Sequence, residues 1–346
     1  MTQFRISNGE WRIGSTGIFL LALTLGLLAS PLALHAQEQQ ARKPYRIALL
    51  PDFPPAWESL LKVFTETLRE SGRIEGRDYV LYRSGILYGQ DIERAVRRAV
   101  DEKPDLIFTS ALNYAIAAHQ LTKTIPIVMR TSGFPVEGGV AMSLARPGKN
   151  VTGLTIYAGT EVFGKLLQLL LEAKPGIKRV GVLWGYVPPA HPREEVEPMI
   201  REVRDAARLF GIDIRLLEIA KPEQTGDALA TLVAERVEAL LLTSGAPIRR
   251  QEIMQFAVEK RLPTIPDFSW VGVEPQPLLT YSPPAAALMR QATAYVERIL
   301  WGGAKPGDLP IQLPAKFELV VNLKTAKAIG LTIPQSLLIR ADQVIQ

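Results

Sequence analysis

The stretch Arg179-Val180-Gly181-Val182-Leu183-Trp184, with Ala239-Leu240-Leu241-Leu242-Thr243-Ser244 further on, repeats an order already present near the start of the chain. Arg46-Ile47-Ala48-Leu49-Leu50 resembles the first segment, and Leu106-Ile107-Phe108-Thr109-Ser110 resembles the second. Arg46 lies 63 residues before Thr109, and Arg179 lies 64 before Thr243. Each Thr-Ser pair is followed by a helical stretch and then an Ile-Pro pair, Ile125-Pro126 or Ile265-Pro266. α/β units share periodicity in general, so a single match would mean little. Several markers in one order predict two similar halves in tandem.

Between these runs the pattern changes to helical spacing. Trp57, Leu60, Leu61, Phe64 and Leu68 recur on one helix face and stop at Ser71-Gly72, where a helix end favours positive φ. Tyr79 to Arg83 reads as a strand, Ile92, Ala95, Val96 and Ala99 as one face of a helix, and Ile125-Pro126-Ile127-Val128 as another strand. Short apolar strands alternating with amphipathic helices specify an α/β protein with parallel sheets. The aromatic stripe at Trp57 and Phe64 belongs to its core.

With 346 residues, 47% hydrophobic and 22% charged, the chain is long enough for two lobes and too apolar for disorder. Its net charge of +5 is spread over interleaved basic and acidic residues, and no basic stripe offers a nucleic-acid surface. The absence of cysteine excludes disulfides, thiolate metal sites and a lipid anchor on cysteine. Arg5 and Arg12 precede an apolar stretch centred on Ile18 to Leu28, followed by Ser30-Pro31 and Leu34-His35-Ala36. This is the order of a secretory leader, with cleavage expected after Ala36 and residues 1–36 removed. An uncleaved anchor is the competing reading, and the apolar run is short for it. The expected mature protein carries 38 basic and 34 acidic residues, is soluble, and resides in the periplasm.

In open parallel sheets, ligands sit beyond the carboxyl ends of the strands. Thr109-Ser110 and Thr243-Ser244 are expected there, each just before a helix, where hydroxyls and free amides suit a carboxylate or phosphate oxygen. Ordinary N-capping is the alternative for each pair.

Two long motifs carry a resemblance. Ile125-Pro126-Ile127-Val128-Met129 is followed by Ser143-Leu144-Ala145-Arg146-Pro147-Gly148-Lys149-Asn150-Val151-Thr152-Gly153-Leu154, and Lys305-Pro306-Gly307-Asp308-Leu309-Pro310 by Lys316-Phe317-Glu318-Leu319-Val320-Val321-Asn322-Leu323-Lys324-Thr325-Ala326-Lys327. With Gly330-Leu331-Thr332-Ile333-Pro334 and Arg340-Ala341-Asp342, they resemble the ABC transporter substrate-binding proteins that include tryptophan- and tyrosine-type components, over nearly all of residues 43–346. The resemblance implies a periplasmic-binding-protein fold of two similar doubly wound lobes with a hinge and three interlobe crossovers. It also implies delivery of a small-molecule ligand to ABC permease subunits, and no catalysis. Two segments depart from the family: Phe134-Pro135-Val136 stands where Asp-Pro-Val is common, and Thr280-Tyr281-Ser282 where Ser-Tyr-Gly is common. Lobe 1 is expected to comprise residues 43–154 plus 283–312, and lobe 2 residues 155–282 plus 313–346.

An amino acid or related small carboxylate needs an acceptor for its ammonium, donors for its carboxylate and walls for its side chain. Asp267 is a candidate for the first, with a turn or cap role as the alternative. Thr109, Ser110, Thr243 and Ser244 are candidates for the second, and Asp52 and Asn113 lie in the same loop regions. Phe53, Trp184, Tyr186 and Tyr281 could stack on the ligand, although each aromatic equally suits simple packing. Arg130, at the end of its strand, suits an anion or a surface ion pair. No cofactor is expected. His119 reads as a structural helix residue and His191 as loop surface, without metal-ligand spacing or a nucleophile elbow. Gly159 to Lys165 has the spacing of a P-loop, but Leu166 stands where Ser or Thr would hold Mg²⁺. A ligand-sensing module feeding a receptor shares every one of these features. A transcription regulator with the same core is disfavoured by the leader and by the lack of a DNA-binding headpiece. The protein is expected to be a monomer.

Overall fold

The computed structural model describes residues 43–50, 54–83, 92–131, 133–156, 161–184, 193–243, 249–267 and 273–346. The leader and its cleavage position lie outside them, and Tyr45–Gln346 is one compact unit. The first half runs β1 (Tyr45–Leu50), α1 (Pro54–Glu70), β2 (Tyr79–Arg83), α2 (Ile92–Asp101), β3 (Leu106–Thr109), α3 (Leu112–Leu121), β4 (Ile127–Thr131) and β5 (Val151–Thr155). The second half runs α4 (Glu161–Ala173), β6 (Arg179–Trp184), α5 (Arg193–Phe210), β7 (Asp213–Glu218), α6 (Thr225–Ala234), β8 (Ala239–Leu242), α7 (Arg250–Glu259) and β9 (Thr264–Pro266). The chain ends with β10 (Leu279–Ser282), α8 (Ala285–Leu300), β11 (Glu318–Asn322), α9 (Leu323–Ala328), α10 (Gln335–Arg340) and β12 (Gln343–Ile345).

Both halves are parallel sheets of one design, ordered β2-β1-β3-β4-β5 and β7-β6-β8-β9. Their strands read as unbroken apolar runs because both faces are covered. On β1, Ile47 and Leu49 enter one core while Ala48 and Leu50 enter another, shared with α2 and α3. On β6, Val182 enters the first core and Leu183 a third, shared with α6 and α7.

The repeat extends to register. Tyr45 opposes Tyr79 and Arg179 opposes Asp213, 34 residues apart in both halves. Ile47 opposes Leu106 and Val180 opposes Ala239, 59 apart in both. Before β3 the Asp105 carboxylate accepts from the Arg46 amide at 2.7 Å, and before β8 the Glu238 carboxylate accepts from the Lys178 and Arg179 amides at 2.7 and 2.9 Å. Those amide bonds lead the causes that hold Glu238 below the usual carboxylate range. Glu238→Ala should cost about 1–2 kcal/mol, discounted for partial exposure. The cost should be full at pH 7 and fade as pH falls through the lowered native pKa. Urea unfolding at pH 7 and in acid reads the difference, and equal loss at both would contradict this account.

Two of the sequence markers for the repeat are out of register. Ser110 and Thr243 are counterparts, since their amides donate to Leu50 and Leu183 at 3.4 and 3.1 Å, so Thr109 corresponds to Leu242. Ile107 and Leu240 donate to Pro126 and Pro263, which makes Leu262-Pro263 the counterpart of Ile125-Pro126, in place of Ile265-Pro266. The reason is that proline is tolerated both just ahead of a strand, as at Pro126, and on an edge strand, as at Pro266 in β9, so the dipeptide alone fixes no register.

The two long motifs form a seam. α8 packs on α1 and on β3, β4 and β5. The segment after it runs beside β5: Thr152 Oγ1 donates to Leu309 O at 2.7 Å, the Gln312 amide to Gly153 O at 2.9 Å, and the Thr155 amide to Gln312 O at 3.0 Å. Gly153, at φ 129°, lies so close to β4 that a Cβ there would sit 2.0 Å from Met129 O. A Cβ on Gly307 would meet Lys149 O at 2.9 Å. β10, β11 and β12 form a third sheet, antiparallel then parallel, with β10 beside β9.

Candidate functional site

The carboxyl ends of equivalent strands place two opposite charges in matching positions. Thr109 opposes Met129 on β4, and Leu242 opposes Pro266 on β9. The next residue is Arg130 in the first half and Asp267 in the second. Both follow by two a residue of the shared core, Val128 and Ile265, so strand alternation turns them to corresponding faces. Asp267 is 0% exposed, and its amide donates to Leu242 O at 2.9 Å. Arg130 is half-buried opposite Leu154.

The hydroxyls expected to hold a carboxylate are engaged differently. Thr109 Oγ1 donates to Ala111 O at 3.1 Å and accepts from the Ala111 amide at 3.3 Å, a local turn. Thr243 Oγ1 donates to Leu183 O at 3.2 Å. A hydroxyl has one proton, and in both it is committed to main chain. Ser110 and Asn113 are each 8% exposed, and the Asn113 side-chain oxygen accepts from the Tyr114 amide at 2.8 Å. Ala111, the residue capping α3, supplies no side-chain bond to its first turn, where the Tyr114 amide is taken by Asn113 instead.

Among the aromatic candidates, Trp184 is 5% exposed in the shared core, and Tyr281 on β10 stacks on Phe317 at 5.2 Å. Asp52, Phe53, Tyr186 and Ser244 lie outside the described residues, as do His191 and Gly159. Arg130, Asp267, Ser110 and Asn113 thus share the strand-end region, in two halves, while Tyr281 belongs to the third sheet.

Sequence reasoning missed Glu202. It is 4% exposed on α5, its Oε2 has no hydrogen-bond partner among the described residues, and Glu137 acts on it from the turn after β4 in the first half. Burial first, and Glu137 second, push its pKa up to about 7. The signal was its spacing: it lies three residues after Met199, within the face that Ile200, Val203 and Ala207 bury.

Residues 55–345 match the family described as ABC transporter substrate binding protein. The tyrosine-binding protein of Clostridioides difficile is 25% identical over 286 residues, 80% of this chain and 78% of its own. A conserved domain protein from Vibrio cholerae has a TM-score of 0.76 at 24% identity, covering 87% of this chain and 100% of that one. The ABC domain in complex with L-Trp from Streptococcus pneumonia has a TM-score of 0.74 at 21% identity, covering 88% and 100%. At these identities the two structures establish a shared two-lobed α/β fold.

Proposed function

This chain belongs to the ABC transporter substrate-binding protein family, and from that premise we propose that it captures an amino acid as a zwitterion between its lobes. The observation that carries this reading is the pairing of Arg130 and Asp267 at equivalent strand ends. Arg130, beside the N-terminal end of α3, holds the carboxylate, and Asp267 holds the ammonium. Opposite charges supplied by opposite lobes bind best when the lobes close, which couples occupancy to shape. The relatives named for tyrosine and for L-Trp point to an aromatic side chain. The exported monomer then moves through the periplasm to an ABC permease, with hinges where the chain crosses near residues 154, 282 and 312.

Thermal unfolding of refolded, ligand-free protein tests this against aromatic, branched and acidic amino acids and against small carboxylates. A ligand present at about 100 times its Kd should stabilise by about 2.7 kcal/mol. Tyrosine or tryptophan should shift the transition, and their deaminated acids should not. If carboxylates lacking the ammonium shift it equally, the two-pole reading fails.

A further inference from the structure

The first half has a second concavity, of about 510 Å³, at the opposite ends of its strands. It lies where α3 finishes and where β4 and β5 begin. Lys123 follows α3, Lys149 precedes β5, and Lys305 precedes the 3₁₀ turn Pro306–Asp308, so three separate segments each bring an ammonium group to one hollow. None of the three meets a carboxylate among the described residues, whereas Arg46, Arg83 and Arg340 pair with Glu102, Glu58 and Glu172 at 2.6–2.7 Å. Among the described residues, Asp308 is the one acid lining the hollow.

The donors are partly oriented. Lys123 and Lys149 each give one hydrogen bond to main chain, at His119 O and Gly139 O, which leaves two donors apiece. Asn150 Nδ2 donates to Thr122 O at 3.0 Å and Ile125 O at 2.8 Å, so its Oδ1 is the acceptor facing His119 Nδ1 at 2.6 Å. That bond places the imidazole proton on Nδ1 and leaves Nε2 as the ring atom still available. Burial leads the causes that lower the His119 pKa; Asn150 opposes it, and Lys123 and Lys149 add to it, so an anion that offsets the two lysines favours the protonated ring.

We propose that this hollow binds a phosphate oxyanion, at a site separate from the amino-acid cleft and independent of that function. A monocarboxylate would answer one ammonium group. A phosphate monoester presents three acceptor oxygens and about two charges near neutral pH, which matches three lysines and a histidine that can take up a proton. Because Lys123 and Lys305 are exposed, binding should weaken with salt.

The His119 ring resonances of the exported chain, titrated with inorganic phosphate and with pyrophosphate, provide the test. They should move saturably, more tightly at pH 6 than at pH 8, and Lys149→Gln with Lys305→Gln should weaken binding about tenfold or more. Both side chains lie outside the core and the amino-acid site, so amino-acid affinity should be unchanged, and the thermal midpoint should move only by the loss of the Lys149 bond to Gly139 O. A second arm measures sedimentation with phosphatidic acid vesicles against phosphatidylcholine vesicles. Lysine-dependent binding to the free anion alone identifies a soluble ligand, and lysine-dependent binding to phosphatidic acid identifies a lipid headgroup. Binding in neither arm, or binding that the double variant retains, overturns the proposal.

Discussion

Asp267→Asn should cost amino-acid affinity about 3 kcal/mol, or about 100-fold, while the protein stays folded. Asparagine keeps the volume of a fully buried side chain and leaves untouched the amide bond to Leu242 O. What it removes is the negative charge, and in a desolvated site a charge opposite the ligand ammonium is worth far more than at a surface. A cycle separates this from a general weakening. The loss should be large for the amino acid and small for its deaminated acid, whereas Arg130→Gln should show the reverse preference, sparing the decarboxylated amine. Titration calorimetry of both variants with the three ligands gives each coupling energy. If Asp267→Asn binds the amino acid within about twofold of the parent, Asp267 does not hold the ammonium.

The residues that made the fold legible are those buried on two faces. Ile47 to Leu50 and Val180 to Leu183 alternate between cores, so every position is apolar and the run stands out from its surroundings. The third sheet left no such trace. β10 and β12 have only four and three residues, and β11 alternates buried with half-buried positions, a pattern that loops also produce. The recurrence was visible as composition, but its register was set by hydrogen bonds. One residue of slip made Thr109 look like the partner of Thr243, and three made Ile265-Pro266 look like the partner of Ile125-Pro126. The pairing of Arg130 with Asp267 could be recognised only after that slip was removed. The long motifs were specific as text, and their role is now physical: Gly153 lets β5 lie close to β4, Asn150 ties down the turn between α3 and β4, and Gly307 lets the segment after α8 lie against Lys149.

Glu202→Gln should raise stability by about 2–3 kcal/mol at pH 8 and change it little at pH 4.5. A carboxyl whose native pKa is about 7 against a reference of 4.5 keeps its proton when the unfolded chain loses it. Below the reference value both states are protonated and the group contributes nothing. Between 4.5 and 7 the unfolded state sheds its proton, so stability falls as pH rises, and above 7 the full difference, about 3 kcal/mol, opposes folding. Glutamine removes the titration but keeps a polar group in an apolar face, so part of the gain is forgone. Glu202→Leu should therefore gain more. His119, whose lowered pKa makes stability rise with pH toward its reference value, acts in the opposite sense. The informative quantity is thus the variant minus parent difference from urea unfolding at each pH. A flat difference between pH 4.5 and 8 would mean that Glu202 is already satisfied. A difference that grows with pH would identify a proton held between the two halves, and Glu137→Gln should then reduce it, because the charge that helps raise Glu202 comes from the first half.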